Sequence, residues 1–176
     1  MTMTQPQKYL ISDLHLGHSK IVHEFEDKRP FASIEEHDAT IMENMLVVLK
    51  NGDHLYVLGD VVVGVSYKEA MNILGPLMPY KAQLHLALGN HDSPGRVKDI
   101  FPHFFGYISD AFELDDYVLT HIPVRPGQLS RWKGNIHGHV HSHSLDDPRY
   151  FNASAENIGY APILFSAVKM VLRNGV

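Results

Sequence analysis

The stretch KYLISDLHLGH, residues 8–18, joins an apolar run to a polar end, and this combination sets the fold that we expect. Its first half has the short apolar pattern of a buried strand. Asp13 and His15 follow the run two positions apart, so their side chains can point to the same side of an extended chain. Two later apolar runs also end at a polar residue: HLYVLG (54–59) before Asp60, and QLHLALG (83–89) before Asn90. We therefore predict three buried strands with polar residues at their carboxyl ends.

Two amphipathic segments separate these runs and indicate helices. The segment at 33–50 has a capping box, Ser33 with Glu36, before its apolar stripe, and the segment at 66–74 has the same device. The order strand, helix, strand, helix, strand implies a parallel sheet in an α/β layer. Because the carboxyl ends of parallel strands open onto one crevice, the polar residues that follow them should converge there.

The second half of the chain has shorter and more closely spaced strand patterns. They are AFEL (111–114), YVLTH (117–121), GNIHGH (134–139) and YFNAS (150–154). We predict that these strands pair in part antiparallel and that the tail at 162–173 is a helix. Because no repeat or linker interrupts the chain, we interpret residues 1–176 as a single domain.

Composition narrows the functional classes. The net charge of −5 argues against nucleic-acid binding over the whole surface, although it leaves room for a local basic pocket. The chain has no cysteine, which excludes thiolate metal sites and cysteine nucleophiles and fits a reducing compartment. No apolar run approaches the ~18 residues that span a bilayer, and the start of the sequence lacks the pattern of a secretory signal. We therefore expect a cytoplasmic protein without membrane contacts.

Histidine is frequent, with 13 residues, and it is a common metal ligand. Four histidines alternate in the stretch NIHGHVHSHS (135–144): His137, His139, His141 and His143. In an extended strand any neighbouring pair of them could bind one metal ion. Spacing alone decides neither which pair does so nor whether the tract is only a histidine-rich surface.

Five short motifs follow one another at the ends of the apolar runs. They are Asp-Leu-His (13–15), Gly-Asp (59–60), Gly-Asn-His-Asp (89–92), the isolated His121 and Gly-His-Val-His (138–141). In this order they resemble the complete motif set of the calcineurin-like metallophosphoesterases, over about residues 9 to 162, and most of all the small bacterial and phage members. The resemblance implies an α/β fold (α+β in some schemes), namely a four-layer α-β-β-α sandwich with two mixed sheets.

The resemblance also assigns ligands for two divalent metal ions. The first ion would be bound by Asp13, His15 and His141, the second by Asn90, His121 and His139, with Asp60 bridging both. This mixture of imidazole, carboxylate and amide oxygen suits borderline metals, with manganese as the first choice and iron, nickel or zinc as alternatives. His91 would give a proton to the leaving group, and Asp92 would hold the His91 imidazole in the right tautomer.

The implied activity is hydrolysis of a small or nucleotide-type phosphodiester by attack of a metal-bound hydroxide. A phosphomonoesterase is the main alternative, and a nuclease and a non-catalytic metal-binding scaffold are further ones. We expect a small phosphoester as partner and no stable complex with nucleic acid, and we make no prediction of the oligomeric state.

Four residues near the motifs are candidates for substrate binding: Arg96, Arg125, Arg131 and Trp132. An arginine can bind a phosphate with two hydrogen bonds, and a tryptophan can stack on a base. The loop at 125–133 lies between two ligand motifs, so we expect it to lie near the metal ions. The same residues could equally belong to a solvated loop. His18 is a further candidate for the edge of the site, whereas His37 is expected to be solvent-exposed on its helix.

Overall fold

A computed structural model of the chain describes residues 5–24 and 29–174. The first four residues of the start that we interpret as lacking a secretory signal lie outside these ranges. The strands are β1 (Lys8–Ile11), β2 (His54–Val57), β3 (Leu84–Ala87), β4 (Tyr107–Ser109), β5 (Ala111–Leu114), β6 (Tyr117–Thr120), β7 (Gly134–His137), β8 (Tyr150–Asn152) and β9 (Ile163–Leu164). The helices are α1 (Ser19–Glu24), α2 (Ile34–Lys50), α3 (Tyr67–Leu74), α4 (Pro94–Asp99) and α5 (Phe165–Asn174).

The first sheet has five strands in the order β4-β3-β2-β1-β9. β1 to β4 pair in parallel, with Leu10 opposite Tyr56 and Tyr56 opposite His85. The predicted parallel layer is confirmed, since α1 and α2 connect β1 to β2 and α3 lies between β2 and β3. β9 pairs with β1 antiparallel, so the helix predicted at 162–173 begins only at Phe165.

The second sheet has the order β5-β6-β7-β8. β5 pairs with β6 antiparallel, whereas β6, β7 and β8 are parallel, so the predicted antiparallel pairing is limited to one hairpin and both sheets are mixed. Because β6 and β7 are parallel, the connection at 121–133 must return from the carboxyl end of β6 to the amino end of β7.

Side chains that alternate along the strands of the first sheet form two separate cores. Side chains on one face of this sheet, such as those of Ile11 and Val57, belong to a buried cluster that includes Ile41 of α2. Side chains on the opposite face, such as that of Leu10, belong to a second buried cluster with Leu119 of the second sheet and apolar residues of α5. The helices, the first sheet and the second sheet therefore stack as layers, as expected for the sandwich.

The two capped helices begin where the sequence predicts. In α3 the box is complete, because the Ser66 side chain accepts the N–H of Glu69 and the Glu69 carboxylate accepts the N–H of Ser66. In α2 the Ser33 hydroxyl accepts the N–H of Glu36 at 3.2 Å, but the Glu36 carboxylate accepts the N–H of Ala32 instead. Among the described residues, none of the helices has the length and hydrophobicity that a membrane-spanning segment requires.

The two sheets meet at the carboxyl ends of β1 and β8. Ser12 N donates to Ala153 O at 2.9 Å and Ala155 N donates to Ser12 O at 3.0 Å, so that Ser12 pairs in parallel with Ser154. The Ser12 hydroxyl also donates to Leu58 O at 2.5 Å. The loops that follow the strands of the first sheet are thereby brought beside the loops that follow β6 and β7.

Candidate metal centre

The structure gathers the sequence-predicted ligands where the two sheets meet. The first sheet contributes the residues after β1, β2 and β3: Asp13, His15, Asp60 and Asn90. The second sheet contributes the residues after β6 and β7: His121, His139 and His141. Asp13, His15, Asp60 and His121 are buried, whereas Asn90 lies at the exposed rim.

The backbone is strained at most of these positions. Seven described residues other than glycine have positive φ, and five of them are predicted ligands: Asp13 (54°), His15 (49°), Asp60 (55°), His139 (71°) and His141 (51°). A left-handed conformation costs a residue with a side chain about 1–2 kcal/mol. Such strain persists only where the surrounding contacts impose it, and it gathers at functional sites.

Glycines precede three of the ligands because a side chain has no room there. A Cβ atom on Gly59 would collide with the His121 ring, and one on Gly89 would collide with Asp60. A Cβ atom on Gly138 would collide with Ser12 and with the Asp13 carboxylate. The Gly-Asp, Gly-Asn and Gly-His pairs of the sequence are therefore points of close approach between the loops.

One cluster consists of Asp13, His15 and His141, each of which offers a ligand atom within 4.8 Å of the others. Asp13 Oδ1 lies 3.9 Å from His15 Nε2 and 4.0 Å from His141 Nε2. Asp13 is held in place by the His139 N–H, at 3.0 Å from Oδ2, and by the Ser154 hydroxyl, at 2.8 Å. These three side chains form the set predicted for the first ion.

His15 provides the test of whether a metal ion fits this cluster. Both of its ring nitrogens are buried and have no hydrogen-bond partner among the described residues, which is rare for a buried polar atom. Burial, followed by the charge of Arg29, lowers the pKa of His15 to about 2. The ring is therefore neutral and has a lone pair available, which is the form that binds metals. A cation at this cluster would supply the missing partner.

A second cluster surrounds the Asn90 side chain. Asn90 Oδ1 lies 2.8 Å from His121 Nε2 and 2.8 Å from His139 Nδ1. His121 donates its Nδ1–H to Leu58 O at 2.8 Å, so Nε2 is the ring nitrogen that faces the cluster and could bind a metal ion. The three side chains predicted for the second ion are thus also brought together.

Asp60 lies between the two clusters. Its Oδ2 atom is 3.6 Å from His15 Nε2 and 3.4 Å from His121 Nε2, and its Oδ1 atom accepts the N–H of His91 at 2.8 Å. Asp13, Asp60 and His121 also offer ligand atoms within 4.8 Å of one another, so the two clusters are continuous. This is the position that a bridging carboxylate requires.

The charges of the centre compensate one another. Burial opposes ionisation of Asp60, but hydrogen bonding and the charge of His121 lower the pKa of that carboxyl below its usual range. Burial also opposes protonation of His121, but hydrogen bonding to Asp60 and the charges of Asp13 and Asp60 raise the pKa of His121. A carboxylate-rich centre of this kind favours a cation.

The structure separates the four histidines of the tract. His139 and His141 point into the two clusters, as the family motif implies. His137 is buried and its Nδ1 donates to Gly138 O at 2.9 Å, whereas His143 is exposed and its Nδ1 donates to Val140 O at 3.1 Å. Turns with positive φ after His137 interrupt the strand, so the alternation of an extended chain no longer applies.

His91 and His18 both lie against the ring of His15. The ring centroids of His91 and His15 are 5.4 Å apart in an edge contact, and those of His18 and His15 are 5.4 Å apart in a stacked one. The His91 side chain is exposed, and His18 is half-buried. Both candidates therefore lie beside the centre, on the side of the first cluster.

Asp92 does not have the role that we expected. Its carboxylate accepts three backbone N–H groups, those of Asp60 (3.0 Å), Val61 (3.0 Å) and Gly89 (2.8 Å). The prediction that Asp92 holds the tautomer of His91 is corrected, because both Asp92 oxygens are directed at the backbone. Asp92 instead ties the loop after β2 to the loop after β3.

Arg131 and Trp132 lie away from the centre, contrary to the prediction. Trp132 donates its Nε1–H to Glu113 of β5 at 2.9 Å, and the Arg131 guanidinium lies 5.2 Å from the Trp132 ring. Both residues immediately precede β7, at the amino end of the second sheet, whereas the ligands follow its carboxyl ends. Two ligand motifs flank this loop, but the parallel crossover carries its second half to the other end of the sheet.

Arg96 and Arg125 stay predictions as substrate contacts. Arg96 Nη2 donates to Val65 O at 3.1 Å, in the loop after β2. Arg125 is exposed and lines a groove of about 410 Å³ with Val124 and Tyr150.

A buried network behind the centre was not predicted from the sequence. Arg29 is 1% exposed and forms an ion pair with Glu156, which in turn accepts the Nδ1–H of His141 at 2.7 Å. His37, expected on the solvent side of α2, is fully buried against Arg29 and Asp38. No sequence signal could identify these contacts, because Arg29 and Glu156 lie far apart in the chain and belong to none of the five motifs.

Several known proteins resemble this chain in sequence or in fold. The family model described as calcineurin-like phosphoesterase matches residues 9–169. An uncharacterised protein of Methanocaldococcus jannaschii is 28% identical over 98% of this chain and 95% of its own length. The gene 66 protein of Mycobacterium phage L5 is 29% identical over 76% of this chain and 77% of its own length. The crystal structure of an Aquifex aeolicus protein of unknown function superposes with a TM-score of 0.71, at 22% identity, over 95% of this chain and all of that one.

Fold and site together define an α/β sandwich with candidate metal ligands at the junction of its sheets. With a family match over most of its length, the chain belongs to the calcineurin-like phosphoesterases. It is accordingly a metal-dependent phosphoesterase, a hydrolase that cleaves phosphoric ester bonds.

Proposed function

We propose that the protein hydrolyses a small or nucleotide-type phosphodiester with the help of two divalent ions. Asp13, His15 and His141 would bind one ion, Asn90, His121 and His139 the other, and Asp60 both. The observation that carries the proposal is the position of Asp60 Oδ2, which lies 3.6 Å from a ring nitrogen of one cluster and 3.4 Å from a ring nitrogen of the other.

The donor set favours manganese, with iron, nickel and zinc as alternatives, because it mixes imidazoles with hard oxygen ligands. Divalent ions at this centre would supply Lewis-acid chemistry, neutralising the phosphoryl charge and lowering the pKa of a water molecule.

The protein's own groups would complete the reaction. Asp60 lies between the two clusters, and the Asp92 carboxylate holds its backbone N–H in place. His91 is exposed beside His15, where its imidazole could donate a proton to the oxygen of the departing group. An alcohol could then leave in neutral form.

The first test compares a generic phosphodiester with its matched monoester. The protein is stripped with a chelator, and Mn, Ni, Zn and Mg are added back separately to the wild type and to Asp60→Asn. We expect metal-restored diester cleavage that the Asp60→Asn substitution reduces by about 10²-fold or more, since the bridge loses its charge. Asp116→Asn, which removes an exposed carboxylate paired with Lys133, serves as the matched control and should retain full activity.

The alternatives predict different results in the same assay. Preference for the monoester would move the assignment to a phosphomonoesterase. Cleavage of single-stranded nucleic acid with a steep salt dependence would support a nuclease. Stoichiometric metal binding without cleavage of any ester would contradict the proposal and leave a metal-binding scaffold.

A further inference from the structure

A buried ion pair lies directly behind the centre. Arg29 Nη2 is 2.8 Å from Glu156 Oε2, and the two side chains are 0% and 3% exposed. Removing two opposite charges from water costs several kcal/mol per ion unless further hydrogen bonds compensate. The remaining partners of this pair therefore indicate its role.

Arg29 holds the turn that carries two predicted ligands. Its Nη2 donates to Asp13 O at 2.6 Å, and its Nη1 donates to Leu14 O at 3.2 Å. These carbonyls belong to the turn in which Asp13 and His15 adopt positive φ. The guanidinium thus stabilises the strained turn conformation in which both side chains point into the first cluster.

Glu156 holds the third ligand of the same cluster. Its Oε1 lies 2.7 Å from His141 Nδ1, and because a carboxylate only accepts hydrogen bonds, Nδ1 must carry the proton. This leaves the lone pair of the ring on Nε2, the atom that faces Asp13 Oδ1 at 4.0 Å. Carboxylates that orient a metal-binding histidine in this way also increase its basicity.

The pair is itself anchored to α2. His37 Nε2 lies 2.9 Å from Arg29 Nη1, so it accepts the arginine proton, and His37 Nδ1 donates to Asp38 Oδ1 at 2.8 Å. Asp38 Oδ2 in turn accepts the N–H of Gly17 at 2.7 Å. The position of Arg29 is therefore set by a helix of the outer layer.

The second cluster has different anchors. His121 is oriented by Leu58 O, and the loop that carries Asn90 is held by the Asp92 carboxylate through Gly89 N. His121 and Asn90 are thus held by groups other than Arg29 and Glu156, whereas His139 is linked to the first cluster through its N–H bond to Asp13.

We propose that Arg29 and Glu156 are positioning residues for one ion, that bound by Asp13, His15 and His141, and set its affinity separately from that of the other. This inference rests on the proposed two-ion function. Substitution of an outer-shell partner of this kind typically lowers metal affinity about 10–100-fold. Substitution of Arg29 or Glu156 should therefore lower the affinity for one ion and leave the affinity for the other unchanged.

The test measures manganese binding to the metal-free protein. Wild type, Glu156→Gln and Arg29→Lys are titrated by calorimetry, and the Mn²⁺ electron paramagnetic resonance spectrum distinguishes a coupled ion pair from a single ion. We expect two ions in the wild type. In each variant one ion should keep its affinity, the other should bind about 10–100-fold more weakly, and the spectrum should become that of a single ion.

Two further sets of proteins keep the test decisive. Because a broken buried pair can destabilise the fold, the double variant Arg29→Gln with Glu156→Gln replaces both charges by neutral groups and should show the same selective loss. Arg149→Met and Glu113→Gln remove comparable charges at the amino end of the second sheet and should bind both ions normally.

Each outcome is informative. Unchanged affinity for both ions in the folded variants, or equal weakening of both, would overturn the role of Arg29 and Glu156 and leave the proposed function intact. A wild type that binds fewer than two ions would instead overturn the proposed function.

Discussion

At the scale of single residues, His91 is the proposed proton donor and is not one of the predicted metal ligands. Its backbone N–H is fixed by Asp60 Oδ1 at 2.8 Å, while its side chain is exposed beside His15. A group that donates a proton in the transition state contributes about 10²–10⁴-fold to the rate. The contribution should depend on how much the leaving group needs that proton.

His91→Ala should therefore lower kcat about 10²-fold or more for a diester with an alkoxide leaving group. The loss should be much smaller for a nitrophenolate, which leaves readily as an anion. The measurement is steady-state kinetics on both esters, with the bound metal determined in parallel.

The control for this experiment is His103→Ala, which removes an exposed histidine remote from the five motifs. Equal losses with both leaving groups would show that His91 does not act as the proton donor. Loss of metal together with activity would assign it a role in holding the centre.

At the scale of elements, the function depends on how strands end. The loops after β1 and β7 approach so closely that Gly138 has no room for a Cβ atom between Ser12 and Asp13. These two loops supply Asp13, His15, His139 and His141. The distance between them therefore determines whether the ligands converge.

Gly138→Ala should displace the loop after β7 and weaken metal binding at least about 10-fold, because the added methyl group overlaps the Asp13 carboxylate. It should also lower stability by about 1–3 kcal/mol. Metal titration and denaturant unfolding measure the two effects.

The matched control is Gly127→Ala, since a Cβ atom there meets nothing within 4 Å. This variant should bind metal as the wild type does. Normal metal binding by Gly138→Ala would mean that the close approach of the loops is not needed for the centre.

At the scale of the whole molecule, the centre connects the two sheets. Four predicted ligands follow strands of the first sheet and three follow strands of the second, and the backbone contact of Ser12 with Ser154 lies beside them. Metal ions bound here would stabilise the folded state, because the unfolded chain does not assemble the site.

Removal of metal by a chelator should therefore lower Tm, and re-addition should restore it. At a free metal concentration of 100 times Kd, one bound ion contributes about 2.7 kcal/mol to the free energy of unfolding. Scanning calorimetry with and without chelator measures the shift, which Asp116→Asn should show in full and Asp60→Asn in reduced form. If Tm were the same with and without chelator, the metal would not bind the folded state in preference to the unfolded state.

The sequence by itself determined the three central strands of the first sheet, β1 to β3, and the family. Apolar runs that end in Asp13, Asp60 and Asn90, with amphipathic helices between them, are local patterns, and the parallel order follows from them. The five motifs in order identified the family that the comparison with known families shows. The assignment of 1–176 to one domain stays a prediction.

Only the tertiary structure decided which residues surround the centre. The crossover from β6 to β7 moved Arg131 and Trp132 to the opposite end of the sheet, and the turns after His137 separated the members of the histidine tract. Arg29 meets Glu156 across 127 positions of the chain. Such contacts depend on long-range packing, which leaves no local pattern in the sequence. A strand and the ligand that follows it are consecutive in the sequence and can therefore be predicted from it.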